Sequence, residues 1–299
     1  MKGFALAFLG CLLLLPEWSD GQSFFAIRRE RSLMLTAGTG SSTYYGELSN
    51  PGTLIKLQPN FNVGIQKFVS PRVIVHAEFN WFVLQGSDAQ ANSSARKMRG
   101  LSFRSNCYEF STTGAINLFA NGNRYYRRES INFYAFTGIG LLYFNPTGTY
   151  KGKTYSLEPL HTEGVSYSRV VPVIPVGLGA RLRIGPNTNV VLEGGYRKTF
   201  TDYLDDVSNK YTAPSSNPVV AYFQNPNNPS YNPGATGSET NTFNAGSKRG
   251  DPKHTDSYFL LNVKVEYYLP SGNGEKRRNK PFKRSTYRFN KKGQIRRTN

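Results

Sequence analysis

Apolar and polar residues alternate along many short stretches of this chain. In the segment 175–184, apolar side chains such as Val176 and Leu178 share one face, whereas glycines and arginines share the other. A β-strand that crosses a membrane needs about 9–11 residues, with apolar side chains toward lipid and polar ones toward the lumen. The alternation therefore predicts eight strands. The clear ones are 60–66, 73–83, 175–184, 190–197 and 259–269, and the less regular ones are 31–40, 107–119 and 131–144.

The connections between these strands alternate in length. Short periplasmic turns that alternate with long external loops are typical of outer-membrane barrels, whereas a soluble β-sandwich has no reason to place all its long loops at one end. The sequence therefore predicts an all-β, eight-stranded antiparallel up-and-down transmembrane barrel over residues 22–270. An even number of strands places both termini in the periplasm. The long connections are 86–106, 145–169 and 201–256, and the short ones lie at Ser70–Pro71, near Ala120–Glu129 and at Gly185–Asn187.

Charged residues of both signs occur on the polar faces of the predicted strands. In a soluble sandwich these faces would meet water. In an eight-stranded membrane barrel they point into a lumen that side chains just fill, so buried charges there must pair. The mixture of signs fits this requirement. The candidate lumen charge network is His76, Glu78, Arg181, Arg183, Glu193, Arg197, Lys264 and Glu266.

The mean hydropathy of −0.48 is too low for a bundle of membrane helices. The only long apolar run, Phe4 to Leu15, has the length of a signal-peptide core, and we predict a signal peptide over residues 1–21. The alternative is a lipoprotein signal ending at Cys11, but four leucines follow this cysteine. Without Cys11, Cys107 is the single thiol, so no intramolecular disulfide can form.

The net charge of +18 is concentrated near the C-terminus, because residues 271–299 carry +10 of it. Such a segment is expected to be disordered alone and to form a periplasmic tail. It would bind acidic protein surfaces, lipid phosphates or cell-wall polymers, since an exported chain rarely meets nucleic acid. A solvated tail without a partner is the alternative. The candidate tail contacts are Arg277, Arg278, Lys283 and Arg284.

Three motifs carry a family resemblance. They are Tyr44–Leu48 (Tyr-Tyr-Gly-Glu-Leu), Pro159–Gly164 (Pro-Leu-His-Thr-Glu-Gly) and Thr199–Ser208 (Thr-Phe-Thr-Asp-Tyr-Leu-Asp-Asp-Val-Ser), of which the last is the most specific. Together they resemble the PorG-like outer-membrane barrels of the type IX secretion system of Bacteroidetes, over roughly residues 25–270. The family more often has Asp at the position of Glu47. The insert 212–256 and the basic tail lie outside the matched pattern.

The resemblance implies a non-enzymatic component of the secretion machinery. The protein would sit among outer-membrane lipids and dock to a periplasmic ring made by a lipoprotein and its partner. We expect no cofactor, no small-molecule substrate and no nucleic-acid partner. The candidate motif and partner-contact positions are Thr162, Glu163, Gly164, Asp202, Tyr203, Asp205 and Asp206.

Two of the candidate sets could instead form a metal site or a catalytic site. The carboxylates of Asp202, Asp205 and Asp206 suit a hard cation such as calcium, but the spacing is not that of an EF-hand, and we expect them to cap backbone N–H groups. His76 and Glu78 share a face and would form a hydrolase site with a serine, but no motif marks such a serine. We expect a hydrogen-bonded or salt-bridged pair in the lumen instead, with Arg181 or Arg197 as the partner. A general OmpA-type envelope barrel is the alternative function, and a lipid-modifying enzyme is a third.

Overall fold

In this computed structural model, the described residues are 33–49, 58–121, 128–227 and 245–269, together with the backbone of 287–289 and 295–297. The chain divides into two units, residues 1–269 and residues 270–299. The predicted signal peptide, 1–21, lies outside the described residues. So do the four candidate tail contacts, Arg277, Arg278, Lys283 and Arg284.

Eight long antiparallel strands close into a barrel. Each pairs with its neighbours along the chain, and the first strand pairs with the last, from Met34 opposite Tyr268 to Tyr45 opposite Ser257. The predicted eight-stranded up-and-down barrel is therefore confirmed. The eight strands are β1 (Leu33–Tyr45), β2 (Gln58–Phe68), β3 (Val73–Ser87), β4 (Ser102–Asn117), β5 (Ile131–Tyr150), β7 (Val170–Arg183), β8 (Thr188–Thr199) and β9 (Ser257–Tyr268), and the short β6 (Lys153–Ser156) adds to β5.

The connections give the barrel two different ends. The turns after β2, β4 and β7, together with the start of β1 and the end of β9, define the turn end. The loops after β1, β3, β5 and β8 define the loop end, which contains helices α1 (Ser94–Arg99) and α2 (Pro218–Gln224). Among the residues that the structure describes, no helix has the length and apolar character needed to cross a lipid bilayer. In the second unit, β10 (Tyr287–Phe289) pairs with β11 (Ile295–Arg297).

The outer surface of the barrel is apolar from the turn end to a girdle of aromatic side chains. The rings of Phe61 and Trp81 stack at 5.6 Å, and those of Tyr108 and Tyr143 lie 6.2 Å apart on the neighbouring strands. Below this girdle, apolar side chains such as Leu178 are exposed outward, while charged residues such as Lys264 and Glu266 face inward. Water would not stabilise this arrangement, but a lipid bilayer does, and aromatic girdles mark its boundary in such barrels.

Above the girdle, the pattern of faces inverts. In β4, Phe103 and Cys107 point inward and are buried, whereas Arg104 and Asn106 point outward and are exposed. β3, β4 and β5 thus continue beyond the membrane as a water-exposed barrel with an apolar interior. This shortens the predicted loops 86–106 and 145–169, since strand structure occupies part of both. In the membrane the apolar side chains point outward to lipid, whereas above it they point inward, away from water. The alternation of apolar and polar positions therefore reverses within one strand, and the sequence pattern did not show that the strand continues.

Candidate functional site

The lumen below the girdle contains a charge network. Lys264 Nζ lies 2.5 Å from Glu78 Oε2 and 2.7 Å from Glu193 Oε1, and the Tyr134 hydroxyl donates to Glu193 Oε2 at 2.6 Å. These side chains come from β9, β3, β8 and β5, so the ammonium joins strands on opposite sides of the barrel. Because every member is buried, removal of one partner would leave an uncompensated charge in the lumen.

A second pair lies in the same lumen. Arg181 donates to both oxygens of Glu266, at 2.6 Å and 3.0 Å, and also to Asn117 Oδ1 at 2.9 Å. Asn189 adds a hydrogen bond of 2.9 Å to Glu266. Bidentate pairs of this kind fix geometry as well as charge. The pairing supports a structural role for these residues.

Arg197 pairs with a residue that the sequence did not single out. Its Nε lies 3.6 Å from Oε2 of Glu109, which also accepts a hydrogen bond of 2.6 Å from the Tyr258 hydroxyl. Glu109 is fully buried on β4 between Tyr108 and Phe110, whose side chains point outward. That alternation was the available signal for Glu109, but the segment 107–119 was one of the less regular predicted strands.

The remaining two candidate lumen residues take different positions. His76 is buried in the lumen at 5% exposure, with its ring edge against that of Tyr134, and Glu78 pairs with Lys264 instead of with an arginine. Arg183 is half-buried at the turn end, where it donates to the carbonyl oxygen of Arg128 at 2.5 Å. The expectation that Arg183 belongs to the ion-paired lumen is thus corrected to a role in the turn end.

The lumen above the girdle is filled by apolar side chains from strands and loops. Phe82, Phe103 and Phe144 from the strands pack in one buried cluster with loop residues that include Leu48 and Leu204. We call the described residues of the four long loops, 46–49, 88–101, 151–169, 200–227 and 245–256, the loop cap. Because the cap and the strands share one core, the barrel mouth is closed over the described part of the chain.

Buried ion pairs and hydrogen bonds together join the loops of the cap to one another. Arg99 donates to Asp88 at 2.7 Å and to the backbone oxygen of Arg249 at 2.5 Å. Arg249 in turn lies 2.8 Å from Glu163, which accepts backbone N–H groups from Ser208 at 3.1 Å and from Asn209 at 2.9 Å. These contacts connect the loops after β3, β5 and β8.

Asp206 provides another link between the same loops. Its two carboxylate oxygens accept hydrogen bonds from the Thr162 hydroxyl at 2.5 Å and from the Tyr167 hydroxyl at 2.8 Å. Burial raises the pKa of Asp206 to about 6, although the positive charge of Arg249 acts in the opposite direction. Asp206 also adopts a positive φ of 66°, a conformation that Asp tolerates better than most residues.

Four acidic residues form the carboxylate cluster of the cap: Glu47, Asp202, Asp205 and Asp256. The Tyr44 hydroxyl lies 2.8 Å from Asp205 Oδ2 and 2.6 Å from Asp256 Oδ1. Burial, followed by the negative charge of neighbouring carboxylates, raises the pKa of Glu47 to about 7, and those of Asp205 and Asp256 well above their usual values. Burial also raises the pKa of Asp202 to about 7.

The interpretation of the motif residues as partner contacts needs correction. Five of the seven candidates are buried inside the cap, where they support its loops. Gly164 is exposed with a φ of 71°, and Tyr203 is half-buried with its ring stacked on Tyr167 at 4.7 Å. The backbone-capping role does apply to Asp205, whose Oδ1 accepts from Val207 N at 3.0 Å. The five buried residues are Thr162, Glu163, Asp202, Asp205 and Asp206.

An apolar outer belt, an aromatic girdle, an ion-paired lumen and a closed mouth together define an outer-membrane β-barrel. The chain belongs to the family described as a domain of unknown function, DUF6089, whose model matches residues 31–227. A comparison with curated proteins finds no match.

The chain is similar to several solved outer-membrane barrels. The N-terminal barrel domain of Pseudomonas aeruginosa OprF is 7% identical, with a TM-score of 0.37, and the match covers 81% of this chain and 100% of that one. The attachment invasion locus protein Ail of Yersinia pestis is 12% identical, with a TM-score of 0.39, and the match covers 81% of this chain and 100% of that one. Neisserial surface protein A is 6% identical, with a TM-score of 0.40, and the match covers 79% of this chain and 97% of that one.

Proposed function

We propose that this protein is a non-enzymatic outer-membrane component of a type IX protein secretion system that docks to a periplasmic ring complex. The observation that carries the proposal is that the three resemblance motifs contact one another at the loop end of the barrel. Tyr44 of the first motif contacts Asp205 of the third at 2.8 Å, and Thr162 of the second contacts Asp206 of the third at 2.5 Å. Because the three motifs contact one another, they form one structural unit, and this supports the resemblance to the PorG-like barrels.

The docking partner is proposed to be the periplasmic ring of a lipoprotein and its partner. In this orientation the loop cap faces the outside of the cell, and the turn end faces the periplasm. The chain leaves β9 at Tyr268, at the turn end, so the basic segment 271–299 begins on the periplasmic side. Its charge of +10 suits an acidic protein surface. Outer-membrane lipids surround the apolar belt.

A scaffold role agrees with the interior of the barrel. The described lumen is occupied by ion pairs below the girdle and by an apolar core above it, an arrangement that supports neither a pore nor a substrate cavity. His76, the candidate for hydrolysis, is buried beside Lys264 and Glu193, whose charges act on it. The proposal therefore assigns His76 a structural role, and His76→Ala should leave the lipid profile of the membrane unaltered.

Deletion and truncation in the bacterium that carries the gene test the proposal. We expect deletion to reduce the export of secreted proteins while the amounts of other outer-membrane proteins stay constant. Affinity purification of the full chain from gently solubilised membranes should recover a periplasmic lipoprotein and its partner. A chain ending at residue 270 should insert normally, as shown by heat-modifiable migration on gels, but recover less of both. Normal export in the deletion strain contradicts the secretion role, and unchanged recovery contradicts the role of the tail.

The alternative is a general envelope barrel of the OmpA type, which stabilises the membrane without a role in secretion. The buried ion pairs and closed mouth fit this function equally well, because both roles require only a rigid barrel. The same deletion strain separates the two functions. Envelope leakage and detergent sensitivity with normal export would favour the general barrel, whereas lost export in an intact envelope would favour the secretion component.

A further inference from the structure

Three carboxylates of the loop cap lie close enough together to share one metal ion. One oxygen each from Glu47, Asp205 and Asp256 lies within 4.8 Å of the other two. Calcium binds oxygen ligands at about 2.3–2.6 Å, so two oxygens on the same ion are at most about 5 Å apart. Asp205 and Asp256 are almost fully buried, and they belong to the loop after β8, whereas Glu47 follows β1.

Asp202 supplies an independent sign of a ligand at this position. Asp202 is 8% exposed, and neither of its buried carboxylate oxygens has a donor in good hydrogen-bond geometry among the described residues, although the Ser208 side chain lies close enough to lower the pKa of this carboxyl. Glu47 Oε2 is likewise buried without a donor. Asp202 lies near the cluster, since its charge acts on both Glu47 and Asp256. Buried carboxylate oxygens without donors call for water or an ion.

The described protein groups supply too little positive charge for four carboxylates. Arg99 is the cation that acts on Glu47 and Asp205, but its guanidinium already pairs with Asp88 through hydrogen bonds of 2.7 Å and 3.0 Å. The Tyr44 hydroxyl has a single hydrogen, so it can donate to Asp205 or to Asp256 but not to both at once. A cation would compensate the negative charge that remains.

We propose that Glu47, Asp205 and Asp256 bind one calcium ion inside the loop cap, with Asp202 as a fourth carboxylate nearby. The set contains only carboxylate oxygens, which suit a hard divalent cation and not zinc or copper. The ion would join the end of β1 to both ends of the loop between β8 and β9, and would thereby fix the cap over the barrel mouth. This site does not depend on the secretion role, because any barrel with this cap would carry it.

Terbium luminescence and thermal unfolding of the full-length protein in detergent test the proposal. Terbium replaces calcium on oxygen ligands, and Tyr44 lies next to two of the proposed ligands, so excitation of tyrosine should produce terbium emission. After treatment with EDTA, we expect saturable emission with one ion per chain, displaced by calcium and much less by magnesium. Calcium should also raise the melting temperature of the EDTA-treated protein.

Two ligand variants and one matched control locate the site. Asp256→Asn and Glu47→Gln keep the side-chain shape and should weaken calcium binding by roughly tenfold or more, because each removes one ligand charge. Asp251→Asn is the control, since this carboxylate lies in the same loop but outside the cluster, paired with His254 at 3.0 Å. It should bind calcium like the unmodified chain.

The unmodified protein decides the question even where a variant fails to fold. A folded chain with no saturable emission and no calcium-dependent change in melting temperature would overturn the proposal, and the cluster would then hold shared protons. Equal affinity in the three variants and the unmodified chain would also overturn it, since binding would then occur elsewhere.

Discussion

Glu163 and Arg249 form a buried ion pair, 2.8 Å long, between two loops that are 86 residues apart in sequence. Both side chains are 2% exposed. Glu163 also accepts two backbone N–H groups from the loop after β8, and Arg249 donates to the backbone oxygen of Asp206 at 2.7 Å. The pair therefore holds the order of the cap, independently of any ion.

Replacement of Arg249 tests this role. Arg249→Ala leaves the Glu163 carboxylate buried without its cation, and loss of one partner from a buried pair costs about 3–5 kcal/mol. We expect the loop cap to open before the barrel unfolds, because the membrane part keeps its own ion pairs. Limited proteolysis of the cap, followed by gel analysis of the resistant barrel, measures this. Lys248→Ala is the control, since Lys248 is 70% exposed, and equal sensitivity of both variants would contradict the prediction.

Lys264 should be needed for the barrel itself. Lys264→Met leaves Glu78 and Glu193 facing each other without a cation in the lumen, at a cost of about 3–5 kcal/mol. We expect reduced insertion, measured as loss of the heat-modifiable folded band on gels. The combination Lys264→Met with Glu193→Gln should restore part of the folded fraction, because it removes one unpaired charge. Normal folding of the single variant would argue against the pairing.

The barrel could be predicted from the sequence because its signals are local. Period-two alternation located the strands, and the lengths of the connections separated the two ends. The sequence pattern did not reveal that β4 passes from lipid into water near Tyr108. The reason is that Phe103 and Phe110 lie on opposite faces of the strand and interrupt the alternation of apolar and polar positions. A strand that leaves lipid and enters water keeps its backbone pairing but exchanges its apolar face.

The loop cap could be predicted only in part. The motifs drew attention to Asp205 and Glu163. However, Asp256, which lies beside the same Tyr44 hydroxyl as Asp205, and Arg249, which pairs with Glu163, lie in an insert without a recognisable pattern. Contacts over such distances along the chain depend on how the loops fold over the mouth, and no local periodicity encodes them. The acidic motif was therefore expected to cap backbone groups, whereas much of it also faces a common buried cluster.

Gly46 should be sensitive to a single methyl group. A Cβ added there would overlap Asp256 Oδ1 and the Tyr44 hydroxyl, so one of these groups must move. We expect Gly46→Ala to lower the melting temperature of the cap and to increase its cleavage by protease. Gly185→Ala is the matched control, since a Cβ at that turn meets nothing within 4 Å. Similar behaviour of the two variants would mean that Tyr44 and Asp256 are not held as close as described.

Trp81 should report the position of the membrane boundary. It stacks on Phe61 in the girdle, and if residues 1–21 are removed as predicted, it is the only tryptophan of the mature chain, because Trp18 is the other one. Aromatic girdles lie at the level of the lipid headgroups. In vesicles, lipids brominated high on the acyl chain should therefore quench Trp81 fluorescence more strongly than lipids brominated near the bilayer centre. Trp81→Phe should abolish the signal. Stronger quenching from the bilayer centre would place the boundary nearer the loop end than this girdle, and the water-exposed extension of β3 to β5 would then be shorter.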